Sequence, residues 1–253
     1  MHIEGALQRN KDEKTREDRM FEHINTDLGY EDLKAQTDEN GRKYLHPLGK
    51  RSYPSITTVL SVLSEDGIKA WRKRVGDEEA DKISYRASQR GTAVHELVEK
   101  YLDNDPNYMV GYFPNIIDNF QSIRGVLDGR IGKIYGQELA LYSDHLRLAG
   151  RVDCVAEFDG KISIIDFKTS RKAKQRKYIG NYFAQEAGYA IMWEERTGMP
   201  ITQLVTIVAV DDMFGAGPGN QVYIEKRDDH VKTLKQAIAI YEERNKDQPY
   251  VIN

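Results

Sequence analysis

The stretch Gly150 to Thr169, GRVDCVAEFDGKISIIDFKT, constrains this chain more than any other. Asp159-Gly160 is a dipeptide favoured in two-residue hairpin loops, and apolar residues flank it on both sides, so the stretch reads as a β-hairpin. With that turn, Phe158 faces Lys161, Asp153 lies opposite Asp166, and Arg151 lies opposite Lys168. Side chains alternate along a strand, so Ile162, Ile164, Asp166 and Lys168 share one face, and Cys154 points away from the face of Asp153. Two carboxylates with Cβ atoms roughly 5 Å apart are unfavourable unless positive charge lies between them. A divalent cation is the simplest candidate.

Composition narrows the classes open to such a chain. Its 253 residues suit one large domain or a core with appendages. Hydrophobic residues at 40% and charged residues at 30% indicate a soluble globular protein with a heavily charged surface. No run approaches the ~20 apolar residues that cross a bilayer, so no membrane association is expected. The N-terminus, MHIEGALQRNKDEKTRED, has no apolar core for a secretory signal and too many acids for a transit peptide. Cys154 is the single cysteine, which excludes an intramolecular disulfide, a Cys-only zinc site and a four-Cys iron–sulfur cluster. It fits a reducing compartment. The net charge of −3 gives no global pull toward nucleic acid, so any such binding must come from local basic patches.

Along the chain, residues 1 to about 25 are polar and charge-rich and read as a loosely ordered arm or an exposed helix. Residues 33–45 form a small hairpin around Asp38-Glu39-Asn40-Gly41, with Asn-Gly as the turn signal. His46 to Pro54, punctuated by Pro47, Gly49 and Pro54, reads as loop. A helix starts at Pro54-Ser55-Ile56-Thr57-Thr58, where proline and hydroxyl residues give the entry signal. Further helices are expected over about 68–75, 77–102 and 115–131. In the longest, Ala93, Val94, Leu97, Val98, Tyr101 and Leu102 follow the 3.6-residue period. A strand over 138–142 precedes the hairpin. A helix over 181–196, strands over 202–210 and 221–226, and a last helix over 229–245 complete the order. This is an α/β pattern. It divides into an arm with a small hairpin (1–50), a helical region (51–135) and a core with a mixed sheet flanked by helices (136–253).

Asp153, Asp166 and Lys168 on one patch make a chemical toolkit. Carboxylates hold Mg²⁺ or Mn²⁺, and a lysine two residues past the second carboxylate can orient an attacking water or help deprotonate it. The alternative is an exposed hairpin with scattered charges, but Asp166 and Lys168 end an apolar strand, where a charged pair needs a reason. Gly91, His95 and Glu99 recur every four residues on one helix face; Gly91 would permit close backbone approach, and His95 could offer an imidazole nitrogen to a metal. A lone surface histidine is the plainer account. Gln185 and Tyr189 are likewise four apart; Gln185 could bond a phosphate or base, and Tyr189 could stack, bond to the backbone or lie in the core. Arg171 to Lys177 holds five basic residues in seven, directly after the hairpin. That is either a solvated loop or the place where a phosphodiester approaches.

Taken together, these residues resemble the PD-(D/E)XK nuclease superfamily, in its RecB-like exonuclease branch. The matching positions are Gly91, His95 and Glu99; Glu138; Gly150, Arg151 and Asp153; Asp166, Lys168 and Thr169; and Gln185 with Tyr189. They span roughly residues 85 to 210. The upstream segment PSITTVLS extends the likeness to exonucleases of mitochondrial genome maintenance and related phage proteins. The resemblance implies a restriction-endonuclease-like core and a Mg²⁺- or Mn²⁺-dependent deoxyribonuclease. It implies His95, Asp153, Asp166 and the Phe167 carbonyl as metal ligands, and Lys168 as the catalytic lysine acting with Asp153 and Asp166. Glu138 and Glu99 would be supporting residues. Gln185 and Tyr189 would lie on the substrate side. The helical region would form an arch over single-stranded DNA with a free end, with Ser55, Thr57, Thr58, Arg86, Arg90, Arg151, Lys172 and Lys174 as DNA contacts. The iron–sulfur cluster of related CRISPR-associated nucleases is not expected here, for want of cysteines. A bacterial or phage-infected cytoplasm and a role in replication, recombination or repair are the corresponding expectations. A structure-specific endonuclease, or a DNA-binding module with a disabled site, are the alternatives, and the sequence names no protein partner.

Overall fold

The computed structural model of the chain describes residues 20–49 and 51–246, so residues 1–19 of the expected arm lie outside it. Residues 20–25 are pinned against the core rather than loose. Ile24 N–H donates to Ile134 O at 2.8 Å, Ile134 N–H donates to Glu22 O at 2.9 Å, and the Phe21 ring stands edge-on to Tyr101.

Strands β1 (Ala35–Asp38) and β2 (Gly41–Leu45) make the expected hairpin. Asp38 pairs with Gly41, so Glu39-Asn40 is the loop and Gly41, at φ 106°, follows it. The loop expected over 46–54 ends instead in β3 (Ser52–Pro54), paired with β2 at the sheet edge, where a proline forfeits no ladder bond. Helices α1 (Ile56–Ser61), α2 (Glu65–Val75), α3 (Asp77–Leu102) and α4 (Pro114–Arg130) follow. Asp77, Glu78 and Glu79 occupy the first turn of α3, where negative charge suits the helix dipole. Then come β4 (Ile131–Ser143), β5 (Leu148–Phe158), β6 (Lys161–Lys172), α5 (Gly180–Thr197), β7 (Gln203–Asp212), β8 (Gly219–Lys226) and α6 (Arg227–Arg244). The boundary drawn between 135 and 136 falls inside β4, which belongs wholly to the main sheet.

That sheet has five strands in the order β4-β5-β6-β7-β8. Only β6 and β7 run parallel, and α5 supplies the crossover such a pair needs. Helices α1, α5 and α6 cover one face, burying Val155, Ile164 and Leu204. Helices α3 and α4 cover the other, burying Cys154, Ala156, Ile165, Phe167 and Val205. Strands enclosed on both faces lose polar alternation, which explains the runs ISII and LVTIVAV. The architecture is α/β, with a mixed sheet flanked by helices, as in a restriction-endonuclease-like core.

The hairpin register holds from Phe158–Lys161 to Cys154–Ile165. There the backbone ladder stops, one step short of Asp153 and Asp166. Asp153 Oδ2 instead accepts the N–H of Phe167 at 2.8 Å. From this level β5 continues along β4 and β6 continues along β7, so the two strands part. An unbroken sheet would keep its two helix layers on opposite sides; this parting lets side chains from both layers meet.

Candidate active site

A cleft of about 550 Å³ opens at the parting. His95 and Glu99 of α3 line it from one layer, Gln185 and Tyr189 of α5 from the other, and Glu138, Gly150 and Asp153 from the strands. The apolar period of α3 places Val94, Leu97 and Val98 in the core, which leaves His95 and Glu99 at the edge of that face. His95 Nδ1 lies 3.6 Å from Asp153 Oδ2. One ligand atom each from His95, Glu138 and Asp153 lie within 4.8 Å of one another. Asp166 is outside that trio. It is 1% exposed, and its Oδ2 pairs with the Lys168 ammonium.

Glu138 is presented by an unusual piece of strand. Its φ is +48°, which costs a non-glycine residue roughly 1 kcal/mol. The Arg151 guanidinium donates to the Glu138 carbonyl, and its other arm holds both oxygens of Asp32 at 2.7 Å. Arg151, expected on DNA, has its fork committed to shaping the turn at Glu138. Burial, reinforced by the Asp153 and Glu99 charges, pushes the Glu138 carboxyl up to about 7. Burial also raises Glu99, with Asp103 and Glu96 adding to it. Carboxyls crowded this way are short of positive charge, and oxygen donors joined by one imidazole can hold a divalent cation.

Burial drives the Asp166 carboxyl upward; the Lys168 ammonium pulls it down more than Asp153 pushes it up, but burial prevails. Burial works against the charge on Lys168, but Asp166 and Asp153 outweigh it, so the amine is held above its ordinary range and stays protonated. The Lys168 Nζ also sits 5.4 Å from the centre of the Tyr182 ring. Gln185 Nε2 reaches Asp166 Oδ1 at 3.5 Å and the Tyr189 hydroxyl at 3.4 Å, both at the outer limit of a hydrogen bond.

A family model described as the PD-(D/E)XK nuclease superfamily matches residues 114–250. The chain belongs to the PD-(D/E)XK nuclease superfamily. Mitochondrial genome maintenance exonuclease 1 of Mus musculus is 28% identical over 149 residues, covering 56% of this chain and 44% of the relative. The protein of the same name from Homo sapiens is 27% identical over 144 residues, covering 51% and 40%, and that from Xenopus tropicalis is 28% identical over 145, covering 51% and 39%. The chain therefore spans less than half the length of these relatives.

Several positions expected around the PD-(D/E)XK centre have other work in this fold. Tyr189 is 2% exposed with its ring in the core, so base stacking is closed to it. A Cβ on Gly150 would come within 2.8 Å of Tyr189 Cε1, which makes Gly150 the glycine that close packing requires. Gly91 is not tight: a Cβ there would stand 3.8 Å from Thr169 Oγ1, an ordinary contact. Ser55 is buried and caps α1, accepting from Thr58 N–H at 3.0 Å, while its Oγ lies 2.9 Å from Thr57 Oγ1 and 2.8 Å from Thr58 Oγ1. These hydroxyls satisfy one another; Thr57 alone of the three is exposed, and it lines the cleft. Arg90 pairs with Asp211 at 2.9 Å, which ties α3 to the end of β7. Arg86, Lys172 and Lys174 line a second cleft, of about 840 Å³, along the N-terminal half of α3.

Glu186 was missed. It is fully buried and accepts the Thr206 hydroxyl; burial, with Asp166 adding, raises its carboxyl well above the ordinary range. Thr206 is the register partner of Asp166 across β6 and β7. The available signal was an acidic residue inside the apolar run of α5.

Proposed function

We propose that the chain is a metal-dependent exonuclease that hydrolyses phosphodiester bonds in DNA, with Mg²⁺ or Mn²⁺ as cofactor and a preference for single strands with free ends. One observation carries this reading: the His95–Glu138–Asp153 cluster opens onto the same parting as the Asp166–Lys168 pair. A bound divalent cation supplies Lewis-acid neutralisation of phosphate charge and lowers the pKa of water. His95, Asp153 and Asp166 would hold it, with the Phe167 carbonyl as a further donor. Glu138, whose carboxyl lies within the ligand cluster, moves from a supporting place to a ligand in this proposal, and Glu99 remains the supporting charge.

Lys168, held as an ammonium, orients the attacking water by donating to it and faces the negative charge that builds on the phosphoryl oxygens. It does not accept the water's proton. Gln185 sits where it can steady Asp166 or meet the substrate. Arg86, Lys172 and Lys174 would guide the phosphate backbone. The α3 helix crosses β6 where Gly91 meets Thr169, with a cleft on each side of the crossing, and a strand passing from one to the other would enter by its end. Residues 51–135 are the proposed arch. Replication, recombination or repair in the cytoplasm of a bacterial or phage-infected cell is the proposed setting. No helix among the described residues is long and apolar enough to cross a membrane.

The test is digestion of linear and circular single-stranded DNA in Mg²⁺. The proposal expects only the linear form to be consumed. Cutting of circles would indicate an endonuclease, and binding without cutting a disabled site.

A further inference from the structure

We propose that Phe214, at the tip of the β7–β8 hairpin, is a stacking platform for a base of single-stranded DNA lying along the basic cleft beside α3. The inference rests on the nuclease reading. Phe214 is 87% exposed, more than any other large apolar side chain among the described residues. Its φ is +57°, a region that a bulky side chain avoids. Neither feature comes from a loose loop. Met213 N–H donates to Gly217 O at 2.8 Å, Ala216 N–H to Met213 O at 3.1 Å, and Gly215 N–H to Asp212 Oδ1 at 2.8 Å. Gly215 and Gly217 take positive φ as the turn requires. Met213 folds inward over Gly219, where an added Cβ would come within 2.9 Å of Met213 Cβ. The tip thus fills its own inside with Met213 and holds Phe214 in solvent.

Its place gives the exposed ring a partner. Asp212 is the register partner of Lys172, so Phe214 stands two residues beyond the end of β6. That end of β6 leads into the cleft lined by Arg86, Thr169, Arg171, Lys172 and Lys174. The Arg90–Asp211 pair fixes the end of β7 to α3 on the same side. Cations along a groove attract a polyanion, and a flat apolar ring at its end suits the face of a base. An apolar protein partner would leave those cations unmatched. Asp166 and Lys172 are separated by roughly 20 Å of extended strand at ~3.3 Å per residue. The stacked base therefore lies several nucleotides from the scissile phosphate.

The experiment is a thermodynamic cycle. Binding of a fluorescent single strand is measured in EDTA, with an abasic site stepped through the oligonucleotide, for wild type, Phe214→Ala, Phe214→Leu and Phe214→Trp. Wild type and Phe214→Trp should each lose about tenfold in affinity at one abasic position, whereas Phe214→Ala and Phe214→Leu bind about tenfold more weakly and are blind to that position. An equal response of all four proteins at every position overturns the proposal. So does unchanged DNA binding by Phe214→Ala accompanied by loss of a concentration-dependent dimer in sedimentation, which would assign the ring to a protein interface. Unchanged melting temperatures show that the variants fold. The same preparations are then given Mn²⁺ and linear DNA. Hydrolysis without the abasic coupling removes only the stacking role. Absence of hydrolysis by wild type removes the nuclease reading, whatever the binding shows.

Discussion

Flanked by Asp166 and Asp153, the Lys168 amine carries its charge through neutral pH, so the part proposed for it in catalysis is to donate hydrogen bonds. Lys168→Ala should therefore cut hydrolysis by about 10²-fold or more while DNA affinity at fixed salt barely moves. Wild-type cleavage by this variant would take Lys168 out of the mechanism. Glu138 gives a second handle. Its carboxyl titrates at about 7 in the folded chain against an ordinary 4.5, so between these values the folded state binds more protons than the unfolded one. Its contribution to stability is complete below about 4.5 and is lost as pH rises through about 7. In EDTA, the melting temperature should fall across that window, and Glu138→Gln should remove part of the slope. Adding Mn²⁺ below pH 7 should release protons, visible as a buffer-dependent binding enthalpy in calorimetry. A buffer-independent enthalpy would take Glu138 out of the ligand set.

At the level of elements, the helix layer that carries Gln185 is seated by close contact between α5 and α1. A Cβ on Gly188 would overlap Ile56 Cδ1, and Ile56 is fully buried. Gly188→Ala should cost about 1–3 kcal/mol, seen as a melting temperature lower by several degrees. Ile56→Val removes the obstructing methyl, so the double variant should regain most of the loss; strict additivity would show that the clash relaxes elsewhere. Much at this scale was legible. The expected span of α3 matches because acids at Asp77 and the Asn104-Asp105-Pro106 stop bracket a clear helical period, and the hairpin turn matches because Asp159 and Gly160 both take positive φ. What stayed hidden has a common cause. The strand at Ser52–Pro54 and the bent backbone at Glu138 depend on partners far away in the chain, which hydrophobic period and turn residues do not encode. The same holds for the candidate site: the closeness of Asp153, Asp166 and Lys168 was readable from one hairpin. The committed fork of Arg151, the buried ring of Tyr189 and the buried carboxyl of Glu186 follow only from packing.

Over the whole molecule, a net charge of −3 coexists with a cleft lined by Arg86, Arg171, Lys172 and Lys174. Affinity for DNA should then be local and steeply salt-dependent. Lys172→Ala and Lys174→Ala should each lower the slope of log affinity against log salt by about 0.7 on a single strand. An unchanged slope would place the DNA elsewhere. The parting of β5 from β6 has one more consequence. The amide proton of Phe167 is held by the Asp153 carboxylate, where a continuous ladder would have given it a carbonyl. Its partner is thus the very group proposed to change hands when cation arrives. In an ¹⁵N spectrum that single amide should shift, and its exchange with solvent should change, on titration with Mg²⁺, while the amide of Ile165 on the far side of the parting stays still. The break in the sheet has left the protein with its own reporter, readable without substrate and without turnover.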